Sequence, residues 1–325
     1  MTATNELTSV TSQDVSVLLV GYNRPEYLRK RLEEILQNQP SKIFISIDGG
    51  QSKATKKQSH EITERIKNTK INNCEINVKY QEKNIGLAKN ITESINWVLS
   101  FSEYVLVIED DITINNNYLL NIIKGLNIAA PIRDNSIVGG FAPLRKSNLK
   151  FFSNRWVETK YFSAWGWAIH RSAFQKFQLS IEDQYEHKLG ESTTWKNLTN
   201  YKKKIWLSRF EKVFKNPELT WDYQMQYACF INNFVNLLPL KRINDNEGFD
   251  DLRSFNTKNK RPKWMGPIET DSDLIQNKSP KLLTNYISQF LISSTIAGDS
   301  IIKEVTPMLR TLRKALKFNS VDRSI

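Results

Sequence analysis

Three consecutive carboxylates, Glu109, Asp110 and Asp111, directly follow the apolar run 105–108. This run is rich in β-branched residues and predicts a buried strand. Adjacent carboxylates repel one another, and the end of a buried strand is a costly place for them unless a positive group lies beside them. A hard divalent cation that also binds a phosphate would satisfy them, because such cations take oxygen ligands. The alternative interpretation is a solvated acidic turn.

A fourth carboxylate, Asp222, opens a predicted helix that extends through Asn232. In the first turn of a helix a carboxylate lies near the positive end of the helix dipole, which keeps it ionised. An ionised carboxylate can accept a proton, so Asp222 is a candidate general base. The alternative is an aspartate that only caps the helix.

Aromatic side chains are concentrated in residues 151–167, and this segment ends with Trp165, Gly166 and Trp167. Aromatic faces separated by small residues suit a sugar ring, whose axial C–H faces are apolar. The alternative is that both tryptophans are core residues, because large aromatic side chains dominate protein cores.

The elements that must position these residues alternate in type along the first half of the chain. Strands are predicted at Val15–Val20, Ile43–Ile47, Glu75–Tyr80 and 105–108, with helices over Glu26–Leu36, Lys53–Lys70 and a segment that ends at Leu99. This alternation predicts a mostly parallel sheet with helices on both faces, which binds ligands at the carboxyl ends of its strands. The loops Tyr22–Pro25, Asp48–Gly50 and Glu109–Asp111 lie at those ends. Neither the dinucleotide-binding glycine motif nor the P-loop motif occurs, so phosphate would have to be held through a metal.

The second half adds a charged segment, Ile181–Asn216, with three consecutive lysines at 202–204, and then a predicted strand at Phe234–Leu240. A charged segment of this kind is usually the solvated face of a helix. It could also attract an anionic acceptor or lipid head groups. Arg242–Asp251 is predicted to be a polar loop.

The length of 325 residues fits one large α/β domain or a domain with appendages, and the net charge of +12 suggests an anionic partner. A lysine-rich composition alone is the other explanation of the charge. Cys74 and Cys229 are far apart and fit reduced thiols better than a disulfide framework. The three histidines show no metal-ligand spacing.

No signal peptide or transmembrane span is evident in the sequence, so we expect a cytoplasmic protein. Residues 305–318 read as a basic amphipathic helix, which favours peripheral contact with the inner face of a membrane. A packed helix or a dimer contact is the alternative for this segment. Residues 256–280 read as an extended arm.

Taken in order, the motifs Gly-Tyr-Asn-Arg-Pro (21–25), Ile-Asp-Gly-Gly (47–50), Asn-Ile-Gly-Leu-Ala (84–88) and Val-Ile-Glu-Asp-Asp (107–111) resemble those of GT-A nucleotide-sugar glycosyltransferases. The acidic motif, Trp-Gly-Trp and Trp-Asp are similar to the branch that contains N-acetylglucosaminyltransferase I and its family 2-like bacterial relatives. The resemblance implies a GT-A, Rossmann-like domain over 1–255, with a nucleotide-binding half at about 14–112 and an acceptor half at about 113–255. Residues 256–325 would form a linker arm and a C-terminal helical extension.

The resemblance also implies residue roles. Asp111 would bind Mn²⁺ or Mg²⁺, and Asp222 would be the catalytic base. Where the family loop often contributes a histidine, this chain has Glu247. The donor nucleotide would be bound by Tyr22, Asn23, Arg24, Asp48, Asn84, Gly86, Lys89, Glu109 and Asp110, and the sugar or acceptor by Gly140, Trp165, Gly166 and Glu247.

The implied activity is metal-dependent, inverting sugar transfer from a nucleotide-diphosphate sugar, with a UDP-sugar favoured, to a glycan or lipid-linked acceptor in surface polysaccharide synthesis. Nucleic acid is not expected as a partner. A sugar nucleotidyltransferase is an alternative, although residues 22–25 lack the basic glycine-rich loop that such enzymes use for a triphosphate. A non-catalytic carbohydrate- or membrane-binding protein is another.

Overall fold

The computed structural model describes residues 9–50, 52–67, 73–141, 156–249 and 251. The predicted arm and C-terminal helices, including the basic amphipathic segment, lie outside these residues. The strands are β1 (Val15–Gly21), β2 (Lys42–Ile47), β3 (Glu75–Tyr80), β4 (Tyr104–Glu109), β5 (Ile112–Ile114), β6 (Ser136–Gly139), β7 (Trp156–Thr159), β8 (Trp167–His170), β9 (Val235–Pro239) and β10 (Asn244–Asn246). The α-helices are α1 (Pro25–Gln37), α2 (Lys53–Lys67), α3 (Leu87–Leu99), α4 (Tyr118–Ala129), α5 (Arg171–Phe174), α6 (Tyr185–Glu191), α7 (Thr193–Lys196), α8 (Asn200–Lys215) and α9 (Asp222–Ile231).

The central sheet has eight strands in the order β3-β2-β1-β4-β8-β6-β9-β7. The block β3-β2-β1-β4 is parallel throughout, as the alternation of elements predicted. Strand β8 runs antiparallel to both β4 and β6, and β7 runs antiparallel to β9, so all strands except β7 and β8 share one direction. The carboxyl ends of β1, β2 and β4 therefore meet at one edge of the sheet.

Helices cover both faces of the sheet because the side chains of each central strand alternate between two apolar clusters. Val17 and Leu19 of β1 pack with α1 and α4 on one face. Leu18 and Val20 pack with α3, α5 and α9 on the other face. Burial on both faces explains why β1 reads as a continuous apolar run rather than an alternating one. The predicted arrangement of helices is confirmed.

A two-stranded ribbon continues directly from the acidic triplet. Strand β5 pairs antiparallel with β10, which brings residues 244–246 beside residues 112–114. The sequence predicted only a polar loop over Arg242–Asp251, and that prediction is wrong at β10. Its residues, Asn-Asp-Asn, have low strand propensity, and pairing with β5 overrides it.

The charged segment 181–216 forms α6, α7 and α8 rather than one solvated helix. Trp195, Trp206 and Phe210 from these helices build a third apolar cluster against Tyr227 and Phe230 of α9. Helix α9 is thus enclosed between this cluster and the central sheet, and residues 224–230 are buried without interruption. This packing fixes the helix that begins at Asp222. Within the described part of the chain, no helix combines the length and apolar character needed to cross a bilayer.

Candidate active site

The acidic triplet lies at the carboxyl end of β4, as predicted, and Arg24 lies against it. The Arg24 guanidinium forms ion pairs with Asp110 and, at 3.1 Å, with Oδ2 of Asp111. The Asp110 side chain is almost fully buried, and it also accepts a hydrogen bond from the backbone N–H of Tyr22. A positive group does occupy this position, and in the structure it is Arg24, which the resemblance had assigned to the nucleoside.

Arg24 is held here by the start of α1. Pro25 is the first residue of this helix, where its missing N–H costs nothing. The N-cap residue is Arg24, and no side chain caps the helix. Asn23 is half-buried in the same loop as Tyr22, beside the acidic triplet.

Asp222, the first residue of α9, lies close enough to the triplet for its charge to raise the pKa of Glu109. The Asp222 carboxylate accepts a hydrogen bond from the Thr220 hydroxyl. Burial raises the pKa of Asp222, although the Thr220 contact and the backbone N–H groups of the first helical turn oppose that rise. A raised pKa makes Asp222 a stronger proton acceptor than an exposed aspartate.

The carboxylates of Glu109, Asp110, Asp111 and Asp222 therefore lie close together. Arg24 forms ion pairs with two of them, Asp110 and Asp111. Burial, followed by repulsion from Asp111, Asp110 and Asp222, holds the pKa of Glu109 well above its usual range. Burial raises the pKa of Asp110 to about 7 even though Arg24 opposes the shift. The pKa of Asp111 is raised in the same way. Arg24 offsets only part of the negative charge of these four carboxylates, and an excess of negative charge favours the binding of a cation.

These carboxylates could hold a divalent cation only if the protein supplied one or two of its ligands. Among the described residues, no three His, Cys, Asp or Glu side chains are arranged to hold a metal ion. Mg²⁺ is commonly held by one or two carboxylates together with substrate phosphates and water. The Asp111 side chain is 14% exposed, against 4% for Asp110, so Asp111 could supply such a contact once a diphosphate provides the remaining oxygens.

Asp48, expected to bind the donor nucleotide, joins two loops of the predicted ligand-binding edge. Its Oδ1 accepts hydrogen bonds from the backbone N–H groups of Gly49 (2.8 Å) and Ile85 (2.9 Å), and its Oδ2 accepts one from Gly86 (3.0 Å). Burial raises the pKa of Asp48 despite these three donors. The structure thus shows Asp48 fixing the loop that precedes α3.

That loop contains the remaining predicted nucleotide-binding residues. Gly86 has φ of +86°, a left-handed conformation that favours glycine, and it is the N-cap residue of α3. Asn84 is exposed, and Lys89 is half-exposed and lies 3.9 Å from Glu93 on the same helix. Both side chains are available at the rim of the site.

Gly140 and Gly166, expected at the sugar, enclose the Tyr118 hydroxyl. The backbone N–H of Gly140 donates to the carbonyl of Gly166 (2.7 Å), and a Cβ atom at either glycine would overlap the Tyr118 side chain. Gly166 also has φ of +62°. The Tyr118 hydroxyl accepts a hydrogen bond from Asn244 (3.0 Å), whose Nδ2 also donates to the carbonyl of Trp165 (2.5 Å). These glycines therefore fix the backbone around Trp165.

Trp165 and Trp167 lie in different environments. Trp167 is fully buried and stacks on Trp221 with ring centroids 5.4 Å apart, so it is a core residue. Trp165 is half-buried, and its ring centroid lies 4.4 Å from that of Phe141 and 5.8 Å from that of Phe249. Trp165 thus presents an aromatic surface at the same edge of the sheet as the acidic triplet, where β8 begins and β4 ends.

Glu247 lies beside Asp111 through the backbone, since its N–H donates to the Asp111 carbonyl (2.8 Å). Its carboxylate points to α1, where it pairs with Lys30 (2.5 Å) and the fully buried Arg31 (3.2 Å). Although burial opposes the shift, these cations hold the pKa of Glu247 below its usual range. A carboxylate held in this way is a weak base, which favours Asp222 for that role.

Sequence reasoning missed Tyr118, Arg31 and Asn244 as supports of the site. Each makes contacts to residues far away in sequence, and no local motif marks them. The one signal in the sequence is that Tyr118 is bulky and residues 140 and 166 are glycines. That signal can be interpreted only once the fold shows that these three residues are in contact.

Comparison with known families gives one finding. Residues 16–177 match the family described as glycosyl transferase family 2. The matched region extends from β1 to just beyond α5, so it includes the acidic triplet, Asp48 and Trp165 but neither Asp222 nor Glu247. No curated protein matches the chain.

Proposed function

This chain is a glycosyltransferase with the GT-A fold and a glycosyl transferase family 2 domain, and we propose that it transfers a sugar from a nucleotide-diphosphate sugar with inversion and with the help of a divalent cation. The observation that carries this proposal is the meeting of Asp222 with the triplet Glu109–Asp111, whose charge Arg24 only partly offsets. The family match favours this activity over a nucleotidyltransferase or a non-catalytic binding protein.

On the donor side, the loops at the ends of β1, β2 and β4 surround one region of the sheet edge. We propose that Tyr22, Asn23 and the loop fixed by Asp48 bind the nucleoside, with Glu109 and Asp110 facing the ribose or the donor sugar. Asp111 would hold Mn²⁺ or Mg²⁺ together with the diphosphate. A bound cation would stabilise the negative charge that develops on the leaving diphosphate.

On the acceptor side, Asp222 would remove the proton of the acceptor hydroxyl as its oxygen attacks the anomeric carbon. The bond from that carbon to the diphosphate oxygen breaks on the opposite face, which inverts the configuration. Trp165 would support the sugar ring through its exposed aromatic face. The acceptor would be a glycan or a lipid-linked precursor in surface polysaccharide synthesis, and a UDP-sugar is the favoured donor. The cytoplasmic location expected from the sequence stays a prediction.

A panel of nucleotide sugars tests this proposal. We expect one or a few donors to raise the melting temperature only when Mn²⁺ or Mg²⁺ is present, because a ligand that binds the folded state stabilises it. The same donors should release nucleoside diphosphate rather than pyrophosphate, and the transferred sugar should have inverted anomeric configuration by NMR. Release of pyrophosphate would identify a nucleotidyltransferase and contradict the proposal.

A further inference from the structure

Arg31 of α1 is a fully buried cation that contacts two carboxylates. Its Nη1 lies 2.7 Å from Oε2 of Glu34, and its Nη2 donates to Oε2 of Glu247 at 3.2 Å. Glu34 belongs to the same helix, whereas Glu247 lies 216 positions later in the chain. A buried charge is costly unless it is paired, and removing one partner of such a pair is costly as well. Arg31 therefore ties α1 to the segment that follows β10.

Both carboxylates are also bound to the ribbon of β5 and β10. Oε2 of Glu34 accepts a hydrogen bond from the backbone N–H of Ile114 in β5 (3.0 Å). The backbone N–H of Glu247, which directly follows β10, donates to the carbonyl of Asp111 (2.8 Å). Arg31 thus contacts each side of the ribbon through one carboxylate.

The ribbon needs such contacts because it is small. Strands β5 and β10 have three residues each and form a two-stranded sheet separate from the central sheet. A ribbon of two strands is marginally stable on its own in water. Asn38, on the same face of α1 as Arg31 and Glu34, adds a hydrogen bond from its Nδ2 to the carbonyl of Asn115 (3.0 Å). One polar face of α1 therefore fixes the position of the ribbon.

Asp111 lies where the chain passes from the central sheet into this ribbon. The N–H of Asp110 donates to the carbonyl of Val20 in β1 (2.9 Å), and Asp111 directly precedes β5. The Asp111 carbonyl is bound by Glu247, and its carboxylate pairs with Arg24 (3.1 Å). Arg24 would have to release this carboxylate when a cation binds it, whereas the backbone contact through Glu247 can persist.

We propose that Arg31 is a positioning residue for Asp111. It fixes the ribbon to α1 through Glu34 and Glu247, and it thereby holds the Asp111 backbone in place when the carboxylate exchanges Arg24 for a divalent cation. This inference rests on the proposed function, because it takes Asp111 as the metal contact. Glu247, which the resemblance assigned to the sugar or acceptor, serves the site in this proposal through its backbone N–H and its ion pairs.

Amide hydrogen exchange in EDTA tests the anchor without metal or donor. We expect Arg31→Gln to speed exchange by at least about tenfold in peptides that cover residues 112–116 and 243–249, with less than about a twofold change in β1 and β2. The matched control Arg29→Gln removes a cation and its ion pair with Glu33 from an exposed position of the same helix, and it should change nothing. Unchanged exchange in the ribbon, or equal acceleration in β1 and β2, overturns the anchor.

Metal affinity tests the positioning role. With a donor found in the panel, Arg31→Gln should raise the Mn²⁺ concentration for half-maximal nucleoside diphosphate release by at least about tenfold, as loss of a supporting contact does at metal sites. The KM of the donor at saturating Mn²⁺ should change less than about twofold. Electron paramagnetic resonance of Mn²⁺ with the released nucleoside diphosphate should show the same loss of affinity without turnover.

A destabilised variant separates positioning from a general loss of stability. Leu99→Ala opens a cavity at the buried last residue of α3, so it should lower the melting temperature and leave the Mn²⁺ dependence unchanged. An unchanged Mn²⁺ dependence in Arg31→Gln, or an equal change in Leu99→Ala, overturns the positioning role.

Glu247→Gln removes the same contact from its half-buried side, so the test does not depend on the folding of one variant. It should weaken Mn²⁺ binding in the same direction. The double variant Arg31→Gln/Glu247→Gln should be no worse than Arg31→Gln alone, because both changes act through one contact. Additive losses would overturn the path through Glu247.

The two proposals fail separately. If Arg31→Gln loosens the ribbon but no nucleotide sugar is turned over, the proposed function is wrong and the anchor remains. If a donor is turned over with Mn²⁺ but Arg31→Gln leaves the Mn²⁺ dependence unchanged, the positioning role alone is wrong.

Discussion

Asp222 is the residue on which the proposed reaction depends most. Its carboxylate is fixed by Thr220 and by the first turn of α9, and that helix is packed on two sides. Burial raises its pKa, although Thr220, the backbone N–H groups of the first turn and Arg209 oppose the shift, so it is a stronger base than an exposed aspartate. The neighbouring candidates differ from it, because Glu247 is paired with two cations and Asp110 with Arg24.

Replacing Asp222 with asparagine should abolish the base and leave the fold intact. We expect Asp222→Asn to lower the transfer rate by roughly 10²- to 10⁴-fold, the usual contribution of a general base, with little change in melting temperature. The wild-type rate should also fall on the acid side at a higher pH than for an unperturbed aspartate, because the pKa of Asp222 is raised. Glu218→Gln, at a nearby exposed acid, is the control. Transfer at the wild-type rate by Asp222→Asn would implicate another base.

The crowding of carboxylates around Glu109 should destabilise the metal-free protein. The pKa of Glu109 is raised in the folded state, so its contribution to stability is present below the unfolded pKa and is lost as pH rises through the folded pKa. In EDTA at pH 8 we expect Glu109→Gln to raise the free energy of unfolding by about 1 kcal/mol, and at pH 4 the gain should disappear. Urea unfolding at both pH values measures this. A variant less stable than the wild type at pH 8 would contradict the charge balance described for the site.

At the scale of elements, the position of Trp165 depends on a contact between α4 and two loops. Tyr118 of α4 fills the space left by Gly140 and Gly166, and Asn244 joins its hydroxyl to the carbonyl of Trp165. The ribbon of β5 and β10 supplies that asparagine and also brings Glu247 to α1. Short elements with unremarkable sequences thus hold the side of the site that we propose to face the sugar.

A double-mutant cycle tests this contact. Gly166→Ala should destabilise the fold by roughly 2–4 kcal/mol, from overlap with the Tyr118 hydroxyl and from the left-handed backbone. In a Tyr118→Phe background the cost should fall to roughly 1–2 kcal/mol, because the overlap with the hydroxyl is gone, and the backbone strain and the tight contacts with the Asn244 amide and the ring at position 118 remain. Urea unfolding of the four proteins gives the coupling energy. Equal costs in both backgrounds would show that Tyr118 is not the reason for the glycine.

The elements that the sequence could predict are those with long apolar runs or clear helical periodicity. Strands β1, β2 and β4 and helix α1 fall into this group, since burial on both faces or one face leaves a strong pattern. Strand β10 could not be predicted because three polar residues pair only when β5 is already in place. Helices α6 to α8 were obscured by exposed lysines that flank the buried Trp206 and Phe210.

The candidate site shows a similar division. The position of Glu109–Asp111 at a strand end and that of Asp222 at a helix start followed from local sequence, and the resemblance then implied the role of Asp222 as the base. Arg24 lies more than eighty positions from Asp110 and Asp111 in the sequence. Tyr118, which fills the space at Gly140 and Gly166, is also more than eighty positions from its hydrogen-bond partner Asn244. Such contacts depend on the closed fold, and one sequence carries no local mark of them.

For the whole molecule, the carboxylates of the proposed site come from two distant parts of the chain. Glu109, Asp110 and Asp111 lie at the end of β4 on the proposed donor side, and Asp222 begins α9 on the proposed acceptor side. The family match ends at residue 177, before Asp222 and Glu247, so the later part of the chain is where it can differ most from other proteins with this domain.

The most direct test of the central claim is nucleoside diphosphate release by wild type and Asp111→Ala as Mn²⁺ is titrated, with the donor found in the panel. Asp183→Ala, at an exposed acid far from β4 in sequence, is the control. We predict that wild type and the control require Mn²⁺ or Mg²⁺ and that Asp111→Ala loses at least about 10²-fold at saturating metal, because a cation at the diphosphate supplies several kcal/mol of transition-state stabilisation. Full release in EDTA by the wild type, or undiminished release by Asp111→Ala, would contradict metal-dependent transfer at this site.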